Sequence, residues 1–292
     1  MDQRIEHARQ IAACFATDER VSAVILGGSV ARGEARDDSD IDVGVFWSEL
    51  PSSDDVRALD ALAGLTVHRT VSNTDRFEHA IVRQFGDIRI CSLALSGADT
   101  LVVDVEDQSV SGTDVLISQV LDDLVTSLDH QELISVIQGG IALHGEPLVD
   151  AWRNALTPYP EGLRRKTVEE QMLGTRGVAA RMRRQTDHLA RGDWLWLLDE
   201  RIRIVQRLVV TLMALNRVWA PTRNERFKHL TRIVGACEET PADYAARIGK
   251  AFQSEPQAAM RHLRDLVSDV LDQAGQAFPD IDMSDERDAV RA

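Results

Sequence analysis

The sequence predicts an α/β domain with a mixed sheet and flanking helices over residues 1–112, followed by an all-helical domain over 113–292. Three observations carry this. Short apolar or alternating runs, the mark of strands, all fall before Gly112. Beyond it, apolar residues recur at helical spacing and no strand pattern stands out. A proline-rich break, Thr157-Pro158-Tyr159-Pro160, punctuates the helical half.

Residues 5–15 (IEHARQIAACF) have the apolar spacing of a helix packed on a sheet. The β-branched run Val21–Leu26 (VSAVIL) reads as a buried strand. Gly27-Gly28-Ser29 ends it in a sharp turn, with Ser29 placed to cap one helical turn before Gly33. A strand, a glycine turn and a helix N-terminus together form an anion cradle, because unpaired N–H groups and the helix dipole share one direction. Residues 36–39 (RDDS) form a turn into a second strand, 40–47 (DIDVGVFW). There Ile41, Val43 and Val45 alternate with Asp40, Asp42 and Gly44, so the two aspartates emerge on one face, about 6.5–7 Å apart along the strand. Like charges side by side are unfavourable unless a cation lies between them. Mg²⁺ is the natural candidate, being a hard ion that bridges carboxylates and phosphates. A pair of ions about 3.5–4 Å apart could clamp attacking and leaving oxygens together.

A helix is expected over residues 54–63, and strands over 65–71, 87–95 and 101–106. Helices are expected over 113–129, with Thr113 as a possible N-cap, over 131–143 and over 148–156. The arginine-rich stretch 161–191 reads as helix with a solvated basic face. Residues 194–219 form the most apolar helix, in which Asp199 and Glu200 are expected to be exposed. Two more helices follow at 241–252 and 256–278, and the polar tail from Pro279 is expected to fray.

The central stretch resembles the DNA polymerase β-like nucleotidyltransferase superfamily. The matching residues are Gly28-Ser29, Ala31-Arg32-Gly33 and Ser39-Asp40-Ile41-Asp42. The resemblance implies Mg²⁺-dependent transfer of a nucleoside monophosphate, AMP from ATP, onto a hydroxyl with release of pyrophosphate. It implies that Asp40 and Asp42 hold the metal, Gly28 and Ser29 the phosphates, and that Ser39 orients the metal ligands. It also implies a third carboxylate from a neighbouring strand; Asp104 is the choice and Glu106, on the same strand face, the alternate. Residues 216–230 resemble a loop-plus-lysine element in the helical domain of antibiotic nucleotidyltransferases, which makes Lys228 a triphosphate contact. Length and helical second half are similar to aminoglycoside- and lincosamide-type enzymes, so a small-molecule acceptor such as an antibiotic is expected. A protein or tRNA acceptor, or a nucleotide-binding regulator with little turnover, are the alternatives.

Competing motifs fail. Gly28 and Gly33 have P-loop spacing, but Glu34 stands where lysine is required. The Gly27–Ala31 run lacks the second glycine of a nucleophile elbow. With 33 basic against 47 acidic residues and a net charge of −14, the chain is a poor default partner for nucleic acid. Cys14, Cys91 and Cys237 have neither metal spacing nor a disulfide pattern, which fits a reducing, cytoplasmic setting. No signal peptide opens the chain and no apolar run is long enough to span a membrane.

Overall fold

A computed structural model describes residues 3–72, 87–94, 100–221, 234–235 and 237–291. The chain divides into two compact units: residues 1–123 with 133–158, and residues 124–132 with 159–292. The proline-rich break thus coincides with the change from the first unit to the second.

The first unit runs α1 (Gln3–Phe15), β1 (Val21–Leu26), α2 (Gly28–Ala31), β2 (Ile41–Trp47), α3 (Ser53–Leu62), β3 (Thr66–Ser72), β4 (Asp87–Ala94), β5 (Thr100–Ser109) and α4 (Val110–Leu121). Then come α5 (Leu128–Gly139), whose first turn belongs to the second unit, β6 (Ile141–His144) and α6 (Glu146–Ala155). The strands form one mixed sheet in the order β3-β4-β5-β2-β1-β6. The pair β2–β5 is parallel and the other neighbours are antiparallel.

Alternation along the strands divides the sheet into two unlike faces. On one, Ile41, Val43, Val45 and Trp47 of β2 join Val103 and Val105 of β5. These side chains are buried with Ile11 and Phe15 of α1 and Leu59 of α3. The opposite face is covered at its β1–β2 end, where Phe46 packs on Trp152 of α6 with ring centroids 5.1 Å apart. Val136 of α5 lies behind Gly27 there, 3.2 Å from where a Cβ would sit. Arg153 of α6 donates to the carbonyls of Ile137 (2.9 Å) and Gly140 (2.7 Å), completing the C-terminus of α5. Towards β5, β4 and β3 this face opens: Asp104 and Glu106 are half-buried and Arg69 is exposed.

Under the closed face lies a buried charge network. Arg89 of β4 reaches Asp107 of β5 (2.7 Å) and Asp60 of α3 (3.5 Å), and its guanidinium stands 5.6 Å from the Phe15 ring centroid. The indole N–H of Trp47 donates to Asp107 at 2.9 Å. Burial raises the Asp60 pKa, and the positive charge of Arg89 opposes that shift.

The second unit contains α7 (Glu161–Met172), α8 (Val178–Arg191), α9 (Trp194–Leu215), α10 (Tyr244–Gln253), α11 (Pro256–Ala277) and α12 (Ser284–Arg291). Its core joins Met172, Met182, Ile204, Leu208, Leu212, Leu263, Val267 and Leu271. Among the described residues no helix is long and apolar enough to cross a membrane.

Several local expectations are corrected. Ser109, not Thr113, caps α4: its hydroxyl accepts from the N–H of Gly112 (3.0 Å), while Thr113 donates back to the Ser109 carbonyl. The helix expected over 131–143 stops at Gly139, and residues 141–144 form β6 against β1. A Cβ at Gly140 would lie 2.8 Å from the Leu26 carbonyl oxygen, so the chain can make this close approach only without a side chain. The polar tail does not fray; α12 is anchored by buried Val290. Glu200 is buried between Arg181 (2.8 Å) and Arg184 (2.9 Å), and Asp199 pairs with Arg203 (2.8 Å).

Removing one member of a buried charge network strands the others. Arg89→Met is therefore expected to destabilise the fold by about 3–5 kcal/mol, while Arg57→Ala on the exposed face of α3 leaves stability unchanged. Urea denaturation of the two variants checks this.

Candidate active site

The site is assembled where β1 and β2 are joined. Leu26 ends β1 and the N–H of Gly27 donates to the carbonyl of Asp42 (2.9 Å), tying the turn to the neighbouring strand. Gly28 then takes a left-handed conformation with φ of 62°. A Cβ there would fall inside the Asp42 carboxylate, so two constraints converge on glycine: backbone conformation and contact with an acidic side chain. Helix α2 starts at this point with Gly27 in the N-cap position and no side-chain cap. Ser29 thus lies inside the first turn and is not the cap expected from sequence. The first intrahelical bond, Ala31 N–H to Gly27 O (3.2 Å), leaves the N–H groups of Gly28, Ser29 and Val30 outside the helical ladder.

The segment between α2 and β2 is fixed by its own polar groups. Arg32 pairs with Glu34 (3.1 Å). The Ser39 hydroxyl accepts from the Arg36 N–H (2.9 Å), and the Ser39 N–H donates to the Arg36 carbonyl (3.0 Å). Arg4 of α1 donates to the carbonyls of Arg36 and Asp37, both at 2.9 Å. This closed turn delivers Asp40 to the start of β2.

The parallel pairing of β2 with β5 sets Asp42 opposite Asp104. Carboxylate oxygens of Asp40, Asp42 and Asp104 all lie within 4.8 Å of one another. Glu106 points to the same side one pair further along, opposite Gly44, and is outside this group. Burial, reinforced by the negative charge of Asp40, pushes the Asp104 carboxyl up to about 6, with Arg69 pulling the other way. One buried oxygen of Asp104, Oδ1, has no hydrogen-bond partner. The donor set fits a hard divalent cation. An octahedral ion with ligands at about 2.1 Å separates opposite oxygens by about 4.2 Å, close to the spread of these oxygens.

Arg69 is the residue that sequence reasoning missed. Through Ile90 of β4 it shares a cross-strand row with Asp104 and Asp42 on the open face. Strand order places it on the far side of the carboxylates from the Gly28 turn. Lys228 lies outside the described residues.

Residues 9–81 match the family model described as polymerase beta, nucleotidyltransferase. The matched stretch contains the glycine turn, Asp40 and Asp42, and it marks residues 9–81 as part of a nucleotidyltransferase domain of the polymerase β-like superfamily. Residues 126–224 match a second family model, described as a domain of unknown function (DUF4037). Among solved structures, the chain is similar to a nucleotidyltransferase-like protein from Exiguobacterium sibiricum 255-15. That match has 12% identity and a TM-score of 0.39 and covers 93% of this chain and 77% of the other. Comparison with curated proteins finds no match.

In the metal-free protein Asp104 is expected to titrate near 6, and Asp40→Asn to lower that value by removing a like charge. A raised carboxyl pKa favours the fold below the ordinary carboxylate range and loses that contribution as pH rises through about 6. Carboxyl carbon NMR across pH 3–8 reads both the value and its shift; an Asp104 resonance unmoved by Asp40→Asn contradicts the coupling.

Proposed function

We propose that the protein transfers a nucleoside monophosphate, AMP from ATP, to a hydroxyl of a small molecule and releases pyrophosphate. The observation that carries this reading is the convergence of three carboxylates beside a left-handed glycine turn on a nucleotidyltransferase domain. In the reaction, a bond forms between the acceptor oxygen and the α-phosphorus, and the bond from that phosphorus to the bridging oxygen of pyrophosphate breaks.

Asp40, Asp42 and Asp104 would hold Mg²⁺, one ion or a pair. The metal would neutralise phosphate charge and polarise the reacting phosphoryl group. The backbone N–H groups of Gly28 and Ser29, with the Ser29 hydroxyl, would take the β- and γ-phosphate oxygens. Ser39 closes the turn that sets the position of Asp40. Asp104, set opposite Asp42 on the neighbouring strand, would accept the proton of the acceptor hydroxyl.

In-line displacement puts the acceptor opposite the leaving pyrophosphate. With the triphosphate on the Gly28 side, the acceptor lies over β4 and β3, against Ile90 and Arg69. Arg69 would then orient the acceptor by hydrogen bonding. A hydroxyl-bearing antibiotic or metabolite fits this place, with cytoplasmic ATP as the nucleotide source.

Radiolabelled ATP with Mg²⁺ and a panel of hydroxyl-bearing acceptors tests the proposal through pyrophosphate release and labelled product. Asp40→Asn and Asp42→Asn are each expected to lower turnover by at least about a thousandfold, the scale of losing a principal electrostatic contribution. Their metal-free thermal stability should stay level or rise, because like-charge repulsion is relieved. Full activity in both variants would sink the assignment.

A further inference from the structure

The helical unit holds a second concentration of charge, with the opposite sign. Arg176 lies in the segment linking α7 to α8, Arg181 and Arg184 on α8, and Arg203 and Arg207 on α9. The four other arginines all act on Arg207; burial first, and then their like charge, lower its pKa to about 10. The carboxylates among them are Glu200, shared by Arg181 and Arg184, Asp199, paired with Arg203, and Glu286 of α12, which accepts from the Gly174 N–H (3.4 Å) in the linker that carries Arg176. Five guanidinium groups against these three carboxylates leave an excess of two positive charges.

Hydrogen bonding leaves much of this donor capacity unused. Arg207 donates through Nη1 alone, to the Glu170 carbonyl (2.9 Å) and to the carbonyl and side-chain oxygens of Gln171 (3.3 and 3.1 Å). Arg181 uses Nη1 for Glu200, while its buried Nε has no partner. Arg184 spends Nε on Glu200 and Nη1 on the Thr175 carbonyl (3.3 Å). Arg176 is exposed and has no carboxylate partner among the described residues. Beside them the 14-residue helix α8 begins at Gly177 without a side-chain cap, so its dipole adds to the same positive field. Arg181, Arg184 and Arg207 are half-buried, and like charges gathered there are unfavourable in the absence of a counter-anion. Guanidinium forks match phosphate oxygens in pairs.

We propose that the junction of α7, α8 and α9 is a binding site for a phosphate-bearing anion of two or three charges, either a free phosphate or pyrophosphate ion or a phosphomonoester. The site belongs to the helical unit alone and does not depend on the transferase reading.

Calorimetric titration of the full chain in magnesium-free buffer, with inorganic phosphate, pyrophosphate and AMP in separate runs, tests it. The expected result is saturable binding of at least one of the three, and whether AMP or the inorganic ions bind tells the two sources apart. Arg184→Gln and Arg176→Gln should each weaken it by about tenfold or more, the scale of one charge-assisted contact. The same affinity in Asp42→Asn would locate the site away from the carboxylates. Arg207 completes the C-terminus of α7, so its replacement risks the fold; Arg176 is exposed, and a thermal melt of Arg176→Gln confirms that its fold is kept. No saturable binding, or affinities equal to the parent in both arginine variants, overturns the proposal. So does tighter binding of a single-stranded RNA oligomer with a steep salt dependence, which would make this face a nucleic-acid surface.

Discussion

Three carboxylates are forced together by backbone pairing, and the rest of the first unit is arranged around that unfavourable fact. The parallel ladder between β2 and β5 fixes Asp42 opposite Asp104, and the closed turn before β2 adds Asp40. Strand neighbours are about 4.8 Å apart, so side chains of paired residues on one face cannot avoid each other. Repulsion and burial together keep a proton on Asp104 to higher pH than usual. A divalent cation would resolve this conflict, and the turn beside it, whose N–H groups at Gly28 and Ser29 lie outside the helical ladder, is held by Gly27 bonded to Asp42 itself.

The two faces of the sheet divide the labour. The closed face supplies stability: Phe15, Trp47, Val43 and Val105 are buried there, and Arg89 links β4, β5 and α3 through Asp107 and Asp60. That network stands directly behind the strands carrying the acidic residues, which gives β4 and β5 a reason to keep their register. The other face is covered by α5 and α6 near β1 and left open over β5, β4 and β3. The Arg69–Ile90–Asp104–Asp42 row lies along this open part.

Much of this was legible in the sequence because it depends on local periodicity. The bounds of β1 and the alternation of Ile41, Val43 and Val45 with Asp40, Asp42 and Gly44 need only a period of two. The Pro158–Pro160 break could be read the same way. What escaped depends on long-range pairing or on very short elements. Arg69 joins the acidic row only through the strand order β3-β4-β5-β2 and a register irregularity between Val67 and Arg69, neither of which is written locally. Strand β6 has four residues, too few for a pattern to show. The Ser109 cap was hidden because β5 runs into α4 without a loop. Helix α12 is polar apart from a few anchors such as Val290, so composition alone resembles a frayed tail. Glu200 looked like an exposed charge until α8 placed two arginines against it.

The central claim, that Asp40, Asp42 and Asp104 share a divalent ion next to the phosphate-binding turn, is tested most directly by a crystal grown with Mn²⁺ and a non-hydrolysable ATP analogue. The anomalous signal of manganese locates the ion without ambiguity. The account predicts Mn²⁺ in contact with oxygens of all three aspartates, and the terminal phosphates on the N–H groups of Gly28 and Ser29. Manganese bound elsewhere, or a triphosphate that leaves residues 27–29 untouched, would contradict it.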